Sequence, residues 1–71
     1  MPRHLLRLRD LRAGDRVLLD DVWWRVVTVG PLPGERTRRT LVLEGGQGKV
    51  VTRYLPKEQV LDVWREKEAT R

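Results

Sequence analysis

Cysteine, phenylalanine and isoleucine are absent from the 71-residue sequence, and histidine occurs once. Without cysteine the chain has no disulfide framework and no thiolate metal site, so neither kind of cross-link supports its core. No apolar run is long enough to span a membrane, and Leu5 and Leu6 among arginines are too few for the hydrophobic region of a signal peptide. We therefore expect a soluble cytoplasmic protein with no membrane partner.

The short chain also limits what the protein does. A domain of this size buries only about 60% of the surface of its unfolded chain, which excludes a large enzyme with a deep substrate cleft. Catalysis needs a positioned base, nucleophile or metal, and His4 lies in a basic N-terminal segment away from any such partner. Asp20 and Asp21 suit a turn, and the glycines at 45–48 lack the Gly-Lys-Ser/Thr ending of a phosphate loop. We expect no enzyme, no metal and no cofactor.

Charge is plentiful and unevenly distributed. The net charge is +5, and residues 1–16 carry five arginines against two aspartates, whereas residues 56–71 are balanced. Twelve of the fifteen cations are arginine, whose planar guanidinium group suits phosphates and carboxylates. This pattern favours an anionic partner, although a GC-rich genome produces the same composition through codon usage.

Alternation of apolar and polar residues predicts strands along most of the chain. Turn-forming residues separate them: two aspartates at 20–21, a proline- and glycine-rich run at 30–35, and a glycine turn at 45–48. Residues 1–10 form a basic N-terminal arm or an edge strand, with the alternation strongest over 6–9. The strands predicted after it cover residues 16–19, 22–29, 38–44 and 49–54, which together make a β-meander.

The C-terminal segment fits two structures. Its apolar residues at 60, 61, 63 and 64 lie on one stripe of a helix and also suit a short strand, and Pro56 fits either. We favour a single helical turn over 56–59 followed by a strand over 60–64. The alternative is a four-stranded meander followed by a C-terminal helix. Residues 65–71 form a charged tail that we expect to fray.

Three short motifs resemble those of a known fold. They are the run Leu11-Arg12-Ala13-Gly14-Asp15-Arg16-Val17, the segment Trp24-Arg25-Val26-Val27, and the pair Leu55-Pro56 before the last strand. They resemble the Src-homology-3-like small barrels, including the KOW and Tudor-type modules, over residues 11–64. The resemblance implies an all-β, five-stranded antiparallel barrel with a one-turn helix before its last strand. Such barrels bind RNA, DNA or peptides, so the fold alone does not define a function.

Strand parity separates a core from an exposed face. If Trp24 faces inward, Trp23 and Arg25 face outward, although a one-residue bulge in this strand would exchange the two tryptophans. On the fourth strand the inward residues are taken as Val50, Thr52 and Tyr54, which points Arg53 outward. The predicted core is Val17, Leu19, Trp24, Val26, Leu41, Leu43 and Val50.

The outward residues form the candidate site. An aromatic platform beside guanidinium groups is what stacking on a base next to a phosphate requires. A basic hairpin tip between 30 and 40 adds further arginines that can follow a phosphate backbone. The predicted site residues are Trp23, Arg25, Arg36, Arg38, Arg39 and Arg53. The simpler interpretation is a solvated sheet face whose arginine stems cover apolar surface.

The sequence thus predicts a small, basic, non-enzymatic module that binds nucleic acid and has an accessory or regulatory role. The alternative is a protein-interaction adaptor in which Trp23 and Trp64 fill a pocket on an acidic protein surface, because tryptophan and arginine are enriched at interface hot spots. A structural component of a phage or mobile-element assembly is a further alternative. The choice between DNA, RNA and protein, and the oligomeric state, are left open.

Overall fold

The computed structural model describes residues 3–65, which form one antiparallel sheet of six strands. The strands β1 to β6 span Arg3–Arg7, Arg16–Leu19, Val22–Leu32, Glu35–Glu44, Val50–Pro56 and Val60–Trp64. Single 3₁₀ turns occupy Leu8–Asp10 and Gly46–Gly48. The strands lie in the order β1-β6-β2-β3-β4-β5, so the all-β antiparallel class and the meander from β2 to β5 are confirmed.

The number of strands differs from the prediction. Six strands form rather than five, because Arg3–Arg7 pairs with β6 as an edge strand. Residues 8 and 9, predicted to continue that strand, lie in the 3₁₀ turn instead, where the main-chain N–H groups of Leu8 and Arg9 donate to the carbonyls of Gln59 and Lys57. The sheet has two free edges, β1 and β5, and its pairing is therefore open rather than closed.

The C-terminal alternatives are resolved in favour of a strand. Residues 60–64 form β6, which pairs with both β1 and β2, so the alternative of a C-terminal helix is wrong. One turn precedes β6, closed by a 3.1 Å hydrogen bond from the Gln59 N–H to the Pro56 carbonyl. Arg65 is described as well, whereas residues 66–71 of the predicted tail lie outside the described residues.

Strand β3 is longer than predicted and passes through Gly30 and Pro31 to Leu32. The short β2 pairs only with Val22–Arg25, so the far half of β3 has a strand on one side only. A proline there can turn its missing N–H toward the unpaired side and remove no ladder bond. A register shift between Val26 and Thr28 bends the strand after both tryptophans, which keeps Trp24 inside and Trp23 outside, as predicted.

One face of the sheet, the core face, bears most of the hydrophobic core. The fully or nearly fully buried residues are Leu8, Leu11, Val17, Val26, Leu41, Leu43, Leu61 and Val63, with Leu19, Trp24, Val51 and Leu55 packed against them. The prediction for Val50 is wrong, because that side chain is 58% exposed. The strand β5 pairs Leu43 with Val51, and a shift of one residue moves every side chain of a strand to the other face.

The sheet curls around its core face. An ion pair joins Arg53 on β5 to Asp20 in the β2–β3 turn, although β3 and β4 separate these segments in the sheet. Asp20 and Asp21 both have positive φ, 53° and 64°, as a two-residue type I′ hairpin requires. The aspartate turn is therefore confirmed, and its conformation places a carboxylate within reach of β5. We call the opposite, convex side of the sheet the outer face.

A buried ion pair joins the segment before β2 to the residue that follows β6. Asp15 precedes β2, is only 4% exposed, and accepts two hydrogen bonds from the Arg65 guanidinium, at 3.0 and 2.9 Å. Its Oδ2 also accepts the Arg12 N–H at 2.9 Å.

Within residues 3–65 there is no helix of the length and apolarity needed to cross a membrane.

Candidate functional site

A row of large polar and aromatic residues crosses the outer face. Directly paired positions run from Arg3 to Trp64, then to Arg16, Arg25 and Glu44. Opposed residues in an antiparallel pair point to the same side of the sheet with their Cβ atoms about 5 Å apart. Five strands therefore contribute neighbouring side chains to one band on the outer face.

The centre of this band is a cleft between two tryptophans, here called the tryptophan cleft. Its volume is about 330 Å³, and Arg16, Trp23 and Trp64 line it. Trp23 is 40% exposed, and the Arg3 guanidinium carbon lies 5.7 Å from the centre of its ring. Arg3 also forms an ion pair with Asp62 at 3.4 Å, so both the carboxylate and the Trp23 ring hold its guanidinium group in place.

Of the predicted site residues, Trp23 and Arg25 lie together beside the cleft. A second depression of about 350 Å³ extends from Arg16 and Trp23 to Arg25, Glu44 and the Gly45–Gly46 loop. Arg25, however, forms an ion pair with Glu44. The guanidinium group that was predicted to bind phosphate is thus already paired with a carboxylate.

Arg53 lies on the other side of the sheet from Trp23. It pairs directly with Leu41, which is completely buried, and its guanidinium group binds Asp20. The predicted grouping of Arg53 with Trp23, Arg25 and Arg38 on one side is therefore wrong. The cause is the one-residue error in the parity of β5, which also turns Tyr54, 53% exposed, to the outer face.

The remaining predicted arginines lie at the far end of the β3–β4 hairpin. Arg36 and Arg38 are exposed and Arg39 is half-buried, with Arg39 on the core-face parity opposite Leu55. The Lys57 N–H donates to the Thr37 carbonyl at 2.8 Å, which brings a fourth cation to this end. We call Arg36, Arg38, Arg39 and Lys57 the basic end.

Six of the cations of residues 3–65 form ion pairs, and the others do not. Arg3, Arg7, Arg9, Arg25, Arg53 and Arg65 each bind a carboxylate. No residue of the basic end, nor Arg16 in the tryptophan cleft, forms an ion pair with a carboxylate of residues 3–65. Arg12 and Lys49 also lack a carboxylate partner among residues 3–65, so the unpaired cations of these residues lie at the basic end, in the tryptophan cleft and at these two loop positions.

Arg16 and Tyr54 were missed as residues of the outer face, and Trp64 was named only for the adaptor alternative. Arg16 has the parity opposite to Val17, so its outward direction follows from the predicted core. Trp64 joins the cleft only because β6 pairs with β2, a contact between distant segments that no local pattern encodes. Tyr54 was assigned to the core, and the structure places it diagonally opposite Arg38, whose direct partner is Pro56.

In the part of the chain that the structure describes, no three His, Cys, Asp or Glu side chains are grouped so that they could hold a metal ion. Comparison with protein-family models finds no match, and no similar sequence is found among curated proteins.

Proposed function

We propose that the protein is a small, non-enzymatic module that binds nucleic acid through the outer face of its sheet, as an accessory or regulatory component in the cytoplasm. The observation that carries this proposal is the tryptophan cleft, in which Trp23 and Trp64 flank Arg16. A base stacks on an indole ring, and an arginine next to that ring can pair with the adjoining phosphate.

The charge of the cleft supports an anionic ligand over a cationic one. Aromatic residues also surround methylated ammonium groups in some binding modules, where the ring face attracts the cation. Here Arg3 already lies over the Trp23 ring, and Arg16 lines the space between the two indoles. These two arginines would repel a cationic ligand in the cleft and attract a phosphate.

We further propose that the fold is an Src-homology-3-like barrel. Three features support this: Gly14 and Asp15 directly precede β2, β3 is eleven residues long with a bulge in its middle, and a single turn precedes β6. These are the positions at which the motifs resembling that fold occur. The additional edge strand β1 is a departure from the five-stranded pattern.

A protein-interaction adaptor is the second candidate, and exposed aliphatic residues on the outer face favour it. Leu5 on β1 is 70% exposed, and Val60, on the same strand as Trp64, is 54% exposed. Exposed aliphatic and aromatic side chains of this kind are what partner proteins cover. A structural role in a phage or mobile-element assembly would use the same surface.

The proposal is tested with two variants, each of which removes the carboxylate partner of one arginine, on the outer face in one variant and on the core face in the other. Glu44→Gln releases Arg25 on the outer face, and Asp20→Asn releases Arg53 on the core face. Both variants remove one negative charge, so their effects on net charge are matched. Binding of a fluorescent mixed-sequence single strand is followed by anisotropy from about 50 mM salt upward. We expect the Glu44 variant to bind more tightly and the Asp20 variant to bind as the wild type does.

The salt dependence provides the second measurement. Each phosphate neutralised on a single strand adds about 0.7 to the slope of log affinity against log salt. Contacts from Arg16, Arg36 and Arg38 give a wild-type slope of about 2, and Glu44→Gln should add about 0.7. Absence of binding at low salt overturns the proposal. Equal effects of the two variants would show that net charge alone attracts the strand and would overturn the role of the outer face.

A further inference from the structure

Arg16 in the tryptophan cleft and Arg38 at the basic end are well separated on the outer face. Arg38 lies six positions from Glu44 along β4, which corresponds to about 20 Å at the rise of a β-strand. Glu44 in turn pairs with Arg25 next to the tryptophan cleft. One ligand must therefore extend about 20 Å along β4 to contact both the cleft and the basic end.

The outer face of β4 and β5 between Glu44 and Arg38 carries no charged side chain. The outer-face positions of β4 and β5 between Glu44 and Arg38 are Thr40, Val42, Thr52 and Tyr54, by their pairing across the two strands. A polyanion that leaves the cleft passes Glu44, which is paired with Arg25, and meets no further carboxylate on these two strands before Arg38. Tyr54, which is 53% exposed, lies at its end next to Arg38, so an aromatic ring and an arginine occur together at both ends.

The tryptophan cleft accepts a base only if that base is unpaired. In a duplex, the faces of the bases are covered by stacking and only their edges reach the grooves. The two indole side chains and Arg16 present ring faces and a guanidinium group, which suit a base that has left its stack. A duplex could contact the basic end through its phosphates but could not fill the cleft.

We propose that the ligand is a single strand of about six nucleotides, given a spacing of about 3.4 Å per stacked nucleotide over 20 Å, with one base in the tryptophan cleft and its backbone following β4 to the basic end. This inference rests on the proposed function and narrows it to single strands of a minimum length. A strand that is more extended than a stacked one reaches the basic end with fewer nucleotides.

The test uses oligothymidylates of about three, six and twelve nucleotides and a duplex of about twelve base pairs, within the range of site sizes known for small single-strand binders. Affinity should rise steeply between the two shorter strands and change little beyond, and the duplex should bind more weakly than the strand of equal length. Arg38→Gln should weaken the longer strands and leave the shortest unaffected. Arg53→Gln, the matched variant on the core face, should leave all of them unchanged.

Trp23→Ala provides the second arm. It should weaken every single strand by at least about fivefold and leave duplex binding as it is. Because Trp23 is 40% exposed, the variant is expected to fold, and its circular dichroism spectrum checks this. Duplex binding equal to or tighter than that of single strands overturns this inference, and the proposed function stands if Glu44→Gln still strengthens that binding while Asp20→Asn does not. A protein that binds none of the probes at low salt overturns both.

Discussion

Replacing Asp15 by asparagine should cost this small domain much of its stability. Asp15 is the one charged residue that is buried within residues 3–65, and it forms a two-point pair with Arg65 at 3.0 and 2.9 Å. The Arg65 guanidinium also donates to the Asp10 carbonyl at 3.1 Å. The pair thus ties the end of β6 to the turn before β2.

The expected magnitude follows from burial. Removing one partner of a buried ion pair costs about 3 to 5 kcal/mol. The Arg65 side chain is 30% exposed and can recover part of its hydration, so we expect about 2 to 3 kcal/mol for Asp15→Asn. A core of this size supplies at most about 3 to 5 kcal/mol in all. The variant should therefore be close to unfolding at room temperature.

The assay is urea unfolding followed by tryptophan fluorescence. With a slope of about 1 kcal/mol per molar urea for a small protein, the midpoint should fall by about 2 to 3 M. Asp62→Asn is the matched control, because it removes the exposed pair with Arg3 and should cost less than about 1 kcal/mol. If both variants had the same midpoint, the Asp15 pair would contribute no more than a surface pair, and the argument from burial would be refuted.

The same pair makes stability depend on pH. Burial raises the pKa of the Asp15 carboxyl, but the hydrogen bonds from Arg65 and the Arg12 N–H and the charges of both arginines outweigh it, so the pKa lies below its ordinary value. A lowered pKa in the folded state adds stability above the unfolded value of about 3.9, and that stability is lost as the pH falls through the folded value. Asp15→Asn should lack this acid-dependent loss.

Three further substitutions test local features of the fold. Gly45→Ala should destabilise by about 1 to 3 kcal/mol in urea unfolding, because an added Cβ would lie 2.8 Å from Cζ3 of Trp24, whereas Gly46→Ala meets nothing within 4 Å and should be tolerated. Asp21→Gly should raise the melting temperature by a few degrees, since φ is 64° there and glycine relieves up to about 1 kcal/mol of strain. Trp24→Ala should cost about 3 kcal/mol, and a wild-type melting curve would contradict its place against the core.

The local elements were largely predictable because each depends on neighbours in sequence. Strands β2 and β6 have the predicted bounds, residues 16–19 and 60–64, since period-two alternation and turn residues define both. The end of β3 was not predictable from Gly30 and Pro31 alone. Proline ends a strand only where its N–H is needed, and whether β3 has a neighbour on that side depends on the length of β2.

The candidate site was predicted only where parity was unambiguous. Trp23 and Arg25 alternate with two inward residues, and the bulge at residue 27 lies beyond them. In β5, Val50 and Val51 are equally apolar, so composition could not decide which of them faces the core. The glycine turn before them sets the register, and its 3₁₀ conformation with a positive φ of 64° at Gln47 has no signature in the residue order.

That one-residue difference changes which cation is available to a ligand. With Val51 inward, Arg53 lies over the core face and finds Asp20, while Tyr54 replaces it next to Arg38 on the outer face. The outer face thereby loses a charge and gains an aromatic ring. Stacking, which is insensitive to salt, should then supply a larger share of affinity than counterion release. A single strand bound as proposed should therefore show a shallow salt dependence and a strong sensitivity to substitution of Trp23 and Tyr54.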